Sequence, residues 1–226
     1  MGTLSKNNFA FLNDLRENNN KAWFDKHRPT YEEMKDEVAS FADDVLNILN
    51  KSDVIETPSG KKSMFRIFKD VRFSKDKSPY KHNWSGYFRR ATANRRGGYF
   101  YRIEPGNTYI SGGFFGPNKE DLLHFRKQLE VDPQPLRDIL NNKDFKSYFG
   151  ELGGDQLKTT PKGFDKEAEN IDLLRYKAYH VTHYFTDEEV LSPDFAKTMA
   201  NGLIKLIPFF DVMTNYLLTD LNGEEI

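Results

Sequence analysis

Residues 84–115 of this 226-residue chain read WSGYFRRATANRRGGYFYRIEPGNTYISGGFF, and this stretch decides the fold. It divides into three strand candidates, which are Trp84–Arg90, Gly98–Glu104 and Thr108–Phe115. Turn-forming residues separate them, at Asn94–Gly98 and at Pro105-Gly106-Asn107. Connections this short join neighbouring antiparallel strands. The stretch therefore predicts an antiparallel meander.

The segment upstream of this stretch carries a similar signal. From Phe65 to Phe73, apolar side chains alternate in large part with charged ones, which predicts another strand of the sheet. Side chains two or four residues apart on a strand point to the same face. Arg66, Asp70 and Arg72 are therefore expected to share one face. Downstream, Tyr179–Phe185 has the composition of one more strand.

Helical patterns lie on both sides of the strands. An apolar residue recurs every three or four positions at Tyr31, Met34, Val38, Phe41, Val45 and Ile48. Near the C-terminus, Pro193–Leu218 is also helical in pattern and is bent or broken at Pro208. We therefore expect an α+β fold, in which N-terminal and C-terminal helices cover a central, largely antiparallel sheet of residues 64–115 and 179–185. No linker interrupts the pattern, so residues 1–226 are expected to form a single domain.

The composition excludes several classes of protein. The chain has no cysteine, so it has neither disulfides nor thiolate metal sites nor a cysteine nucleophile. It shows no apolar signal-peptide stretch and no apolar run of membrane-spanning length. These features predict a cytoplasmic protein without a membrane partner, and they indicate nothing about oligomeric state.

Charge is distributed very unevenly along the chain. Between Lys61 and Arg102 there are 13 basic residues and two acids, Asp70 and Asp76, which gives this basic block a net charge of +11. The remaining chain has 20 basic and 32 acidic residues, a net charge of −12. Such an asymmetry is informative about partners rather than about the fold.

Two interpretations fit the two arginines that flank Asp70. In one, Asp70 neutralises Arg66 and Arg72 in a structural salt-bridge ladder. In the other, Asp70 orients an arginine whose free edge grips a phosphate or carboxylate with two hydrogen bonds. The charged loop that follows, Ser74–Lys81, is stiffened by Pro79 and can be pinned to the core by Tyr80.

The candidate ligand-binding residues come mainly from this strand and loop. A second basic loop, which can close over the same face, contributes two lysines. The candidates are Arg66, Asp70, Arg72, Lys75, Asp76, Lys77, Tyr80, Lys81, Lys158 and Lys162.

Motifs for other chemistry are weak. His180 and His183 are separated by an odd spacing on a predicted strand, which sends them to opposite faces, and no His-Glu-x-x-His run is present. We therefore expect no metal site. Leu157 stands where a P-loop needs glycine before Lys158. The sequence identifies neither a catalytic residue nor a cofactor.

Aromatic residues are interleaved with the basic ones. Ten lie in the basic block, namely Phe65, Phe68, Phe73, Tyr80, Trp84, Tyr87, Phe88, Tyr99, Phe100 and Tyr101. Basic and aromatic side chains on a sheet are typical of proteins that hold single-stranded nucleic acid. Strands favour aromatics in any case, and half of these rings are expected to face the core.

The whole chain resembles the domain-of-unknown-function 2461 family of conserved hypothetical proteins. The resemblance is carried above all by FRIFKDVRFSKDKSPYK at residues 65–81, and also by Glu104-Pro105-Gly106, Gly112-Gly113 and Leu191-Ser192-Pro193. It implies a single-domain architecture. It implies no substrate, cofactor or catalytic residue.

Three functions are compatible with the sequence. The first is a basic pocket on the central sheet for a small anionic ligand, phosphorylated or nucleotide-like, in a binding protein or an enzyme. The alternatives are a nucleic-acid-binding module that uses the same basic and aromatic face, and a protein-partner scaffold. A concave cluster of arginines would favour the pocket. An open positive stripe with aromatic residues would favour nucleic-acid binding, and a flat apolar patch would favour a protein partner.

Overall fold

The computed structural model describes residues 2–92 and 94–226. Its strands are β1 (Trp84–Arg89), β2 (Gly98–Ile103), β3 (Thr108–Phe114) and β4 (Tyr179–Phe185). They form an antiparallel sheet in the order β1-β2-β3-β4. The α+β fold is therefore confirmed, and each of the four strands ends within one residue of its predicted bound.

Helices occupy both ends of the chain and the segment between β3 and β4. The N-terminal ones are α1 (Lys6–Glu17), α2 (Lys21–Lys26), α3 (Arg28–Leu49) and α4 (Gly60–Ser63). Those before β4 are α5 (Lys119–Val131), α6 (Gln134–Asn141), α7 (Lys143–Phe149) and α8 (Ile171–Leu174). The C-terminal ones are α9 (Asp187–Val190), α10 (Phe195–Ile204) and α11 (Ile207–Leu218). Within the described residues, no helix has the length and apolar character needed to cross a bilayer.

The chain forms two compact units. Unit 1 contains the residues up to Arg89 together with Phe100–Ile110 and Tyr184–Ile204. Unit 2 contains Arg90–Tyr99, Ser111–His183 and Lys205–Ile226. Three of the four strands contribute residues to both units, and the single-domain expectation stays a prediction.

The core of unit 1 is built around α3. The predicted apolar stripe of this helix is buried from Tyr31 to Val45, and Phe41 stacks on Phe195 of α10 with ring centroids 5.5 Å apart. Gly86 of β1 lies so close to β2 that a Cβ there would be 2.4 Å from the Tyr101 hydroxyl oxygen. That hydroxyl is 2.8 Å from Ser63 Oγ, so glycine lets β1 approach a buried hydrogen bond.

The core of unit 2 is built around Phe125 of α5. Its ring lies 4.7 Å from that of Tyr179 and 5.5 Å from that of Tyr216. Gly113 of β3 has φ of +151°, and a Cβ there would be 2.1 Å from the Tyr179 carbonyl oxygen. Glycine is therefore required where β3 approaches β4.

The predicted strand over Phe65–Phe73 is wrong. This segment forms one isolated antiparallel bridge, between Phe68 and Tyr80, and a second lies just before it, between Met64 and Gly86. The reason is that few of its apolar residues reach the core, since Ile67 is buried while Phe73 is 96% exposed. The expectation that Arg66, Asp70 and Arg72 share a strand face therefore loses its basis.

Candidate functional site

The charged loop Ser74–Lys81 is anchored at its C-terminal end. Tyr80 is buried with 4% of its surface exposed, and its ring stacks on Phe24 at a centroid distance of 4.1 Å. The Asn19 side chain accepts a hydrogen bond from the Tyr80 backbone N–H at 3.0 Å and donates one to its carbonyl at 2.9 Å. The prediction that Tyr80 pins this loop to the core is confirmed.

Two acids within the basic block make local ion pairs. Asp70 accepts hydrogen bonds from Arg72 Nε at 2.9 Å and Nη2 at 2.6 Å, and these bonds hold the pKa of the carboxyl below its ordinary value. Asp76 accepts from Lys69 Nζ at 2.7 Å and from the Ser78 backbone and hydroxyl, which also lowers its pKa. Asp70 thus pairs with Arg72 as the salt-bridge interpretation expects, but it makes no ion pair with Arg66, so the predicted ladder forms only in part.

Arg66 and Lys81 are different, because neither forms an ion pair with a carboxylate of the described residues, and the charge of Arg66 acts on Asp70 only at longer range. Within the described part of the chain, neither side chain makes an ion pair or a hydrogen bond. Their backbones lie in paired segments, since the Lys81 N–H donates to the Ile67 carbonyl at 2.8 Å. Lys81 Nζ lies 5.6 Å from the centroid of the Phe65 ring, in a cation–π contact.

A third cation, Arg102, acts on the same lysine. Burial lowers the pKa of Lys81, and the positive charges of Arg66 and Arg102 lower it further. Both guanidiniums are therefore near enough to Lys81 for their charges to act on its ammonium. We call Arg66, Lys81 and Arg102 the cationic cluster.

The buried carboxylate of Glu104 holds Arg102 in place. Glu104 follows β2 and is 3% exposed, and its Oε2 lies 2.5 Å from Arg102 Nη2. Its Oε1 lies 2.7 Å from His82 Nδ1, at an ion-pair distance without hydrogen-bond geometry, and 3.5 Å from Arg16 Nη2. Asn107 donates a further hydrogen bond to Oε2 at 3.0 Å. One carboxylate thus orients several cationic or titratable side chains.

An open row of aromatic rings begins beside the cationic cluster. Tyr99, Tyr101 and Ile103 of β2 are fully buried, whereas the alternating Phe100 and Arg102 are partly exposed. The rings of Phe65 and Phe100 are 6.3 Å apart, those of Phe100 and Tyr109 5.7 Å, and those of Tyr109 and Tyr184 5.3 Å. We call these four residues the aromatic row.

The structure thus brings together some of the predicted site residues and separates others. Arg66 and Lys81 meet in the cationic cluster, whereas Asp70, Arg72 and Asp76 pair locally. Lys75 is exposed, and Lys77 donates to the Val71 carbonyl at 2.9 Å. Lys158 and Lys162 are exposed residues of unit 2.

Sequence reasoning missed Arg102 and Glu104 as site residues. Arg102 and Glu104 pair with each other two residues apart, but Glu104 also meets Arg16, which is 88 residues away along the chain. One signal was present, because Glu104 is an acid at the last position of the predicted strand Gly98–Glu104, directly before a Pro-Gly turn.

Acids from outside the basic block neutralise much of its charge. Such pairs among the described residues include Lys61–Asp36, Arg89–Glu56, Arg102–Glu104, Arg90–Asp211 and Arg96–Asp121. In the portion of the chain that the structure describes, no three histidine, aspartate or glutamate side chains are grouped so that they could hold a metal ion.

Comparison with known proteins gives one match. The family model described as conserved hypothetical protein (DUF2461) matches residues 7–211 of the 226. Neither the curated proteins nor the solved structures include a match to the chain.

Proposed function

The chain belongs to the DUF2461 family of conserved hypothetical proteins, and on that premise we propose that it binds an anionic ligand through a phosphate group at the cationic cluster. The observation that supports this proposal is the position of Lys81. Its half-buried ammonium lies near two guanidiniums and has no carboxylate partner among the described residues. Repulsion between such groups costs free energy, and a bound anion would remove that cost.

The chemistry of two guanidiniums and one ammonium favours a phosphate over a simple counterion. Guanidinium groups bind phosphate oxygens through two parallel hydrogen bonds, and lysine supplies a point charge beside them. The buried Glu104 contacts Nη2 of Arg102 and limits its movement, and the 28% of the Arg102 side chain that is exposed is the part a ligand would meet. A cytoplasmic location is part of this proposal, because the chain has no cysteine and phosphorylated ligands are abundant there.

Thermal melts with inorganic phosphate and with pyrophosphate test the proposal. At about 100 times the dissociation constant, an anion that binds only the folded state adds about 2.7 kcal/mol, or a rise of roughly 5–10 °C for a chain of this length. Lys81→Gln and Arg66→Gln should lose most of this rise. Lys51→Gln removes one exposed positive charge elsewhere in unit 1 and should keep it.

The result that would overturn the proposal is simple to recognise. Either wild type melts at the same temperature with and without both anions, or the two cluster variants gain as much as Lys51→Gln. Circular dichroism of each variant before heating shows whether it has folded.

A further inference from the structure

The aromatic row continues from the cationic cluster along the exposed face of the sheet. We infer that the ligand is a single strand of nucleic acid, with its phosphates on the cationic cluster and its bases stacked on the aromatic row. This inference rests on the proposed phosphate site and names the class of ligand that occupies it.

The cationic cluster and the aromatic row are in direct contact. Lys81 belongs to the cationic cluster and its Nζ also lies over the ring of Phe65, the first member of the aromatic row. Arg102 and Phe100 alternate with the buried residues of β2, so they share its partly exposed face. A ligand that touches the cluster therefore meets aromatic rings immediately beside it.

The two residues at the ends of the aromatic row are exposed to solvent. Phe65 is 47% exposed and Tyr184 is 63% exposed, although both lie next to other aromatic rings. Neighbouring rings that remain open to solvent form an apolar surface of the kind that marks a binding site. Stacking against bases is the interaction that aromatic side chains on a sheet provide for single strands.

The length of the row distinguishes a strand from a small nucleotide. Successive ring centroids are 6.3, 5.7 and 5.3 Å apart, so the row extends well beyond the two fused rings of one purine. A mononucleotide would cover only the end nearest the cluster. A chain of nucleotides can place further bases on Tyr109 and Tyr184.

This arrangement predicts weak sequence preference and strong salt dependence. Every base has a face that can stack, and phosphate contacts carry no sequence information. Contacts from the three cations should give a slope of about −2 in a plot of log affinity against log salt, because single strands give roughly −0.7 for each phosphate contact. Lys81→Gln should reduce the magnitude of that slope by about 0.7.

Fluorescence anisotropy with a labelled, mixed-sequence DNA single strand of about twelve nucleotides tests the inference, since this length exceeds one binding site. Phe65→Leu and Tyr184→Leu keep an apolar side chain but remove the ring, and each should weaken binding about tenfold. Phe73→Leu is the matched control, because Phe73 is 96% exposed and makes no ring contact with the aromatic row. All three positions are exposed, so folding should be preserved.

Competition by inorganic phosphate, by a mononucleotide and by a duplex separates the outcomes. Preference for the single strand over the duplex and the mononucleotide, together with ring-dependent affinity, supports the inference. Equal binding of mononucleotide and strand, equal binding of duplex and strand, or unchanged affinity in both ring variants overturns it. If single-strand binding fails in this way but phosphate still raises the melting temperature, the proposed function stands and only the nucleic-acid inference is rejected. If phosphate has no effect either, both are rejected.

Discussion

Lys81 is the residue at which stability and binding conflict most clearly. Its ammonium is half-buried, lies near two guanidiniums, and has no ion pair with a described residue. Removing a charge from such a position should stabilise the free protein, whereas removing a charge from a salt bridge should not. A binding site commonly shows this behaviour, because the cost of holding like charges together is offset only when the ligand is present.

We therefore predict that Lys81→Met melts at or above the temperature of wild type at pH 7 without added anions. Because the pKa of Lys81 is lowered in the folded state, its charge destabilises the protein below that pKa, and the penalty disappears as pH rises toward the unfolded value of about 10.4. The advantage of the variant, up to about 0.5 kcal/mol for a half-exposed group, should therefore shrink as pH rises from 7 toward that unfolded value. Melts across this range measure it, and a variant less stable than wild type at pH 7 contradicts the prediction.

The sequence located part of this site and missed the rest for a physical reason. Arg66 and Lys81 stand out because they lie in a block of positive charge. Arg72 has the same sequence signal, but its carboxylate neighbour Asp70 is only two residues away and pairs with it. Glu104 also brings Arg16 and His82 together with Arg102, and one sequence without tertiary contacts does not reveal such a meeting point.

At the scale of elements, the turn between α1 and α2 determines where the charged loop ends. Asn20 caps α2 by accepting a hydrogen bond from the Trp23 N–H, and the adjacent Asn19 binds both backbone groups of Tyr80. The amide of Asn19 thus makes the two hydrogen bonds with the Tyr80 backbone that a neighbouring strand would make in a sheet. It fixes the residue immediately before Lys81, and thereby the position of the cationic cluster.

Replacing Asn19 by alanine should therefore loosen the loop. Two hydrogen bonds are lost and the Tyr80 backbone groups must find water, so the free energy of unfolding should fall by about 1–3 kcal/mol. Chemical denaturation measures this change. Asn47→Ala on the exposed side of α3 is the control and should be neutral or slightly stabilising, because alanine favours helix. Equal stability of Asn19→Ala and wild type would show that the Asn19 side chain does not hold the Tyr80 backbone in place.

The elements that the sequence predicted well are those whose alternation coincides with burial. In β2, every second residue is fully buried, and its predicted bounds were correct to one residue. Phe65–Phe73 alternates in a similar way, but local hydrogen bonds of its backbone compete with a ladder, for example from the Arg72 N–H to Asp70 Oδ1 at 3.3 Å. Alternation alone cannot separate these two cases.

At the scale of the whole molecule, the charge asymmetry of the sequence is partly cancelled by folding. Acids from outside the basic block pair with several of its arginines, such as Arg89 with Glu56 and Arg90 with Asp211. Arg66 and Lys81 are not neutralised in this way. The net charge of −1 is therefore a poor guide to how the protein meets a polyanion.

We predict that the protein is retained on immobilised heparin at low salt in spite of its net negative charge. Arg66→Gln combined with Lys81→Gln should elute at distinctly lower salt, because the cations that meet the polyanion are lost. Lys51→Gln combined with Lys197→Gln removes the same total charge from exposed positions and should elute close to wild type. Identical elution of the two double variants would mean that total charge alone governs retention.

The turn after β2 also bears on how fast a ligand can bind. Glu104 is held by its carboxylate and by its backbone, since its N–H donates to Thr108 Oγ1 at 3.1 Å and its carbonyl accepts from the same hydroxyl at 2.9 Å. Arg102 is thus oriented before any ligand arrives, so its side chain loses little further conformational freedom when a ligand binds. Association should then be limited by encounter and accelerated by electrostatic steering, with residence time rather than arrival rate distinguishing good ligands from poor ones.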